Sequence, residues 1–363
     1  MKNIIWVGLL VVVVIIGGFV LGRPHAESTG SIKIGLILPL TGDLAFIGEA
    51  GRDAANLALA EVNADPSLKH TYTLVIEDDA FNPAKTAGAI NKLISVDHVN
   101  AVISVGSGGG NVVAPIAEEN KLPHIGLASD AVVAKGDYNF TNWTRPQEEV
   151  DLMLTELKRR NLTKVAVLGV KQSGFQAIDQ DFGAKAAAAG VTVVNDQEFA
   201  SGTTDFKTML GQAQATHPDV YLLNAFSPEL EILGKQAKDL GITTPMTSIE
   251  SFGLSNNPKI FEGQWFIDSA VTIGGFGDKF RAAYDKAPGP TAGNIYDAIH
   301  LMVNAVEATG KDSPTGAEIV AQLGKVNNYS GAFGPLTVTP DGQFVSQPSV
   351  KVIKDGKPVP YTN

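Results

Sequence analysis

Residues 32–38 form an apolar strand that empties into Pro39-Leu40-Thr41-Gly42, and an amphipathic stretch over residues 48–63 follows almost at once. A strand that ends in such a turn and feeds a helix is the opening unit of an α/β domain. In that architecture the turn at the strand's carboxyl end faces a ligand crevice. The alternation then continues. Residues 72–77 predict a strand, and Asn82-Pro83 supplies an N-cap and a first-turn proline for a helix running to Ser95. Residues 100–105 predict a strand entering Gly106-Ser107-Gly108-Gly109-Gly110, with a helix over 112–120 and a short strand over 124–127 beyond it. This winding implies a mostly parallel sheet.

The pattern restarts at residue 164. Strands are predicted over 164–170, 191–194 and 219–224, and helices over 176–189, 206–215 and 228–240, the last ended by Gly241 in a left-handed cap. A strongly amphipathic helix is expected over 292–309. The tail from Gly334 reads differently, as a β-hairpin or meander turning at Pro340-Asp341-Gly342. More than 300 residues of such sequence exceed one ordinary core, so two similar α/β lobes are expected.

Residues 4–21 are an unbroken apolar run between Lys2 and Arg23. Its length lies between a signal peptide's apolar core and a membrane span, so residues 1–26 are read as a signal peptide or a membrane anchor outside the fold. The domain is therefore expected in the periplasm or on the outer face of the cytoplasmic membrane. The chain has no cysteine, which removes disulfides, thiolate metal sites and thiol nucleophiles. Its formal charge is -10, and Lys2 and Arg23 are the only charged residues before Glu27, so the exported part carries -12. An acidic body without a basic run does not suit nucleic acid.

Several motifs point nowhere. The glycine run lacks the G-x-G-x-x-G spacing and a following P-loop lysine. The histidines are scattered without metal-ligand pairing, and Glu77-Asp78-Asp79 reads as a polar strand exit. No nucleophile–base pair is visible, so no catalysis, cofactor or metal is expected.

Taken in order, Ile34-Gly35 through Gly42, Glu77-Asp78-Asp79 with Asn82-Pro83, and Gly106-Ser107 resemble a known family. So do Phe226-Ser227-Pro228-Glu229-Leu230, Asn294-Ile295-Tyr296-Asp297-Ala298 and Gly334-Pro335-Leu336-Thr337. The resemblance is to the type I periplasmic binding proteins, specifically the leucine/isoleucine/valine-binding group that serves branched-chain amino acid ABC transporters, and it covers residues 31–353. It implies two doubly wound parallel-sheet lobes joined by three hinge crossings. The first lobe is expected to take residues 31–146 and 271–333, the second 147–270 and 334–363. The lobes would close on a ligand.

The resemblance also implies a site. Ser107 matches a serine that holds a ligand carboxylate, which suits N–H groups at a strand end before a helix. Ala128 matches a carbonyl that accepts from the ligand ammonium, and Glu250 a second-lobe acid that pairs with it. Phe226 falls at an aromatic lid. Ser173 stands where Tyr is common, so Phe175 could supply the ring, and Ile47 likewise replaces an aromatic. Asp130 departs from the family's usual Thr. Either Ser129 is the donor, or Asp130 turns away as a cap, or the ligand is not a carboxylate. The implied function is capture of an amino acid or analogue by a monomer that docks on an ABC permease. A ligand-sensing domain for a membrane receptor is the alternative.

Overall fold

The computed structural model describes residues 31–270 and 275–362. The apolar run over residues 4–21, and with it the signal-or-anchor expectation, lies outside them. Among the described residues no helix is long and apolar enough to cross a membrane.

The first body is built from β1 (Ser31–Leu38), α1 (Ala45–Ala64), β2 (Thr71–Asp78), α2 (Pro83–Ser95), β3 (Ala101–Val105), α3 (Ser107–Glu119), β4 (His124–Leu127) and β5 (Asn139–Asn142). The second contains α4 (Pro146–Arg159), β6 (Lys164–Val170), α5 (Ser173–Ala186), β7 (Thr192–Phe199), α6 (Lys207–Gln214), β8 (Val220–Asn224), α7 (Glu229–Asp239), β9 (Met246–Thr247) and β10 (Trp265–Ser269). The remaining elements are α8 (Phe276–Tyr284), α9 (Ala292–Ala308), α10 (Gly316–Leu323), β11 (Tyr329–Gly331), β12 (Gly334–Val338), β13 (Gln343–Val345), β14 (Pro348–Lys354) and β15 (Lys357–Pro360).

Strand order fixes where a ligand can sit. The first sheet runs β2-β1-β3-β4-β5-β13-β12-β11, parallel from β2 to β13 and antiparallel beyond. Because β2 and β3 lie on opposite sides of β1, the winding reverses between β1 and β3. The loops after those strands therefore open a crevice. The second sheet runs β7-β6-β8-β9 and reverses in the same way between β6 and β8. A bridge between Ile249 and Ile267 joins it to the sheet β10-β14-β15.

β1, β3 and β4 are mostly apolar on both faces and almost wholly buried, as strands covered by helices on each side must be, with the buried Ser104 and His124 paired to each other. Small residues on α1 let it lie close to its neighbours. A Cβ on Gly48 would sit 2.1 Å from the Pro39 carbonyl oxygen, and one on Gly51 2.5 Å from Ile295. Asn82 caps α2 as expected, accepting from the N–H groups of Ala84 and Lys85, with Pro83 in the first turn.

Two expectations change. α3 starts at Ser107, inside the glycine run, because Gly106 alone makes the turn at φ +85°. The glycines that follow are helical despite their low propensity, and Gly110 is held where a Cβ would meet Val133 at 2.8 Å. The second correction concerns the tail, which does not pass whole to the second body at residue 334. β13 pairs with β5 (Phe344 opposite Asn142), and Phe344 stacks on Phe140, so β12 and β13 complete the first sheet. Leaving β5 as an edge would expose its unpaired backbone and the apolar Phe140. Only β14 and β15 belong with the second body. The chain thus crosses after β5, between β10 and α8, and between β13 and β14, where Thr144 and Ser346 touch at 3.2 Å.

Candidate functional site

The loops at the two reversal points face each other across a cleft of ≈ 520 Å³, its mouth included. Ile47, Phe81, Gly106, Ser107, Ala128, Ser129 and Trp143 line it from the first side. Gln172, Gly174, Phe175, Phe226, Glu250 and Leu254 line it from the second. Direct contacts bridge the walls, so the cleft is closed. Phe226 of the second body packs edge-on to Phe81 of the first at 5.1 Å and against Phe175 at 4.7 Å. A Cβ on Gly174 would stand 2.8 Å from Ser107 Oγ.

Glu250 is the only ionisable side chain among these lining residues. It is buried, and its backbone is left-handed at φ +65°, a conformation that a non-glycine residue adopts at a cost and that recurs at functional sites. The turn Glu250-Ser251-Phe252-Gly253 closes with the Gly253 N–H donating to the Glu250 carbonyl at 2.8 Å. Trp143 Nε1 donates to the Glu250 carboxyl at 2.5 Å, and Ser129 Oγ donates to its two oxygens at 3.0 and 3.2 Å. Burial pushes this carboxyl up to about 7, against the hydrogen bonds from Glu149, Trp143 and Ser129 that favour its ionised form.

Ser107 is the first residue of α3, and no side chain caps that helix. Its hydroxyl accepts from the Asp130 N–H at 3.2 Å. The opening N–H groups of a helix have no intrahelical acceptor, so α3 presents donors to the cleft. α5 does the same from the opposite wall, where Gln172 also provides no side-chain cap. Two uncapped helix amino termini therefore meet across the cavity.

Ile47, Ser107, Ala128, Ser129, Phe175, Phe226 and Glu250 all line the cleft. Asp130 and Ser173 do not. Asp130 Oδ1 accepts from the Val132 N–H at 3.0 Å and caps a short helical turn, while Oδ2 accepts from Asn111 Nδ2 at 2.9 Å. In this structure Asp130 turns away from the cleft as a cap. Ser129 points at Glu250 rather than presenting a lone donor. Ser173 lies behind the α5 terminus, 3.4 Å from Asn111.

Phe81, Trp143 and Gln172 were not foreseen. Phe81 and Gln172 follow β2 and β6 by a few residues, so the rule that strand carboxyl ends face the crevice could have found them. Trp143 sits in the first crossing, where no local pattern marks it.

The sequence model of the periplasmic binding protein family matches residues 31–357. The chain belongs to that family. Its members are substrate-binding proteins rather than enzymes, and membership implies a periplasmic location. The Leu/Ile/Val-binding protein BraC3 of Rhizobium johnstonii is 25% identical over 328 residues, covering 88% of this chain and 85% of that protein. The leucine-binding protein LivK of Thermotoga maritima superposes with a TM-score of 0.84 at 24% identity, over 91% of this chain and 98% of its own. A solute-binding protein of an ABC transporter from R. palustris, solved with benzoate, superposes at 0.82 with 21% identity, over 91% and 95%. These likenesses identify this periplasmic binding protein's fold as the type I fold of the branched-chain amino acid group.

Proposed function

We propose that this periplasmic binding protein captures an α-amino acid with an apolar side chain and delivers it, as a monomer, to an ABC permease. Glu250 carries the reading. A buried carboxyl among lining residues that include no cationic side chain is matched in charge only by a cation from outside. The α-ammonium of an amino acid supplies one. The facing termini of α3 and α5 suit the carboxylate. Ile47, Phe81, Phe175 and Phe226 offer apolar surface to the side chain. The Leu/Ile/Val-binding relative supports the same ligand class.

The aromatic cluster of Phe81, Phe226 and Phe175 favours a second reading, an aromatic acid, as in the benzoate complex of the R. palustris protein. Such a ligand brings no cation, so Glu250 would have to be protonated to receive it. The two readings separate in a thermal-shift experiment on the full chain with L-leucine, 4-methylpentanoate and benzoate. A ligand at a thousandfold over its dissociation constant stabilises by about 4 kcal/mol, a shift of several degrees. A shift with L-leucine alone supports the amino acid. A shift with benzoate, or an equal shift with 4-methylpentanoate, overturns it. Uptake into permease-bearing vesicles only when this protein is added tests the importer half.

A further inference from the structure

Behind Glu250 lies a second acid. Glu149 is in the first turn of α4 and is wholly buried. No donor among the described residues reaches either of its carboxyl oxygens. What it meets is the carboxyl of Glu250. Ionised carboxylates only accept hydrogen bonds, so two that face each other are joined by a proton held on one of them.

The groups packed around the pair decide which. From β10 comes Asp268, whose charge is met by Lys351 of β14 at 2.9 Å. On α4 itself Glu148 is bound to Arg145. Lys185 of α5, which reaches α4 at the Gln147 carbonyl, is engaged by Asp151 at 2.8 Å and Asp181 at 2.9 Å. Each of these cations is thus matched by another acid. Trp143 and Ser129 both donate to Glu250 and stabilise its ionised form, and neither donates to Glu149. The amino end of α4 favours negative charge, yet burial and the adjacent Glu250 and Asp268 charges hold the Glu149 carboxyl well above its usual range.

We propose that Glu149 keeps its proton when Glu250 is ionised and donates its O–H to it, as a positioning residue that leaves the pair with one net negative charge. The second half rests on the reading that Glu250 meets a ligand ammonium. A singly charged pair balances one ammonium, so it selects amino acids over diammonium compounds.

Infrared spectroscopy of the full chain tests the proton without any ligand. Glu250 itself, Asp179 and Asp297 are also pushed up by burial, each to about 7, so the spectrum is taken at about pH 8.5, where all three are ionised. The expected result is a carbonyl band of a protonated carboxyl that disappears in Glu149→Gln. A missing band, or one that survives the substitution, overturns the proposal. The positioning role is read by calorimetry with L-leucine. Glu149→Leu, which has no donor, should lose on the order of tenfold in affinity, and Glu149→Gln, a permanent neutral donor, should recover most of it. Equal affinities for the two variants overturn the positioning role. If L-leucine fails to bind the unaltered protein, the amino acid reading falls, and the infrared band still decides where the proton sits.

Discussion

The two walls of the cleft are made of different material. The first body offers the opening turn of α3, Gly106, Ser107 and Ala128 beside the uncharged side chains of Ile47, Phe81 and Trp143. A Cβ on Gly106 would lie 2.4 Å from the Phe81 ring, so this wall depends on the lack of a side chain. The second body offers the aromatic pair Phe175 and Phe226 and the one ionisable lining side chain, Glu250. Backbone donors at a strand end can hold the carboxylate of any amino acid, whereas an aromatic pair and a buried acid discriminate. Grip should therefore reside in the first wall and choice in the second.

The largest test of that division is Glu250→Gln. It removes the charge and keeps the shape, and L-leucine affinity should fall on the order of a hundredfold by calorimetry, because a buried cation loses its partner. An unchanged affinity would place discrimination elsewhere. Phe226→Ala comes next. Losing its contacts with Phe81 and Phe175 should weaken binding by about tenfold, seen mainly as faster dissociation in stopped-flow. A change confined to association would remove its role as a lid.

A third test concerns stability. Burial raises the Asp179 carboxyl in the second body to about 7, although Asn224 Nδ2 donates to it at 2.5 Å. A folded state that holds this proton longer than the unfolded chain is favoured at low pH, and the advantage is lost as pH rises through about 7. Asp179→Asn should flatten that decline in denaturant titrations between about pH 4 and pH 8. The same slope in both proteins would show that Asp179 titrates normally. The smallest effect is expected from Asp130→Asn on the first wall, within about threefold in affinity, because both oxygens of Asp130 are already engaged away from the cleft. A large gain or loss would return Asp130 to the site.

Much of the frame was legible because it is local. β4 and β6 run where apolar runs bounded by turn residues put them, and the Asn82-Pro83 cap starts α2 as its chemistry requires. Gly241 follows α7 at φ +70°. What escaped is long-range. That α3 takes in the glycine run goes with Val133 lying where a Gly110 side chain would be, and the division of the tail depends on Phe344 finding Phe140. Glu149 carries no mark in the sequence either. It follows Glu148 at the start of an amphipathic helix, where acids are ordinary, and only tertiary packing buries one of the two. Asp130 shows the reverse case. An unexpected acid in a matched position looked like a change of ligand, and its neighbours Val132 and Asn111 made it a local fastener.

Gly174 has a consequence for what the outside of the molecule reports. A Cβ there would crowd the Ser107 hydroxyl, so the two bodies come this close at Gly174 because it carries no side chain. On the amino acid reading, ligands that leave this approach undisturbed should give the same outer contour whatever their side chain. The outline that a docking partner would meet then depends on a position that lacks a single carbon atom.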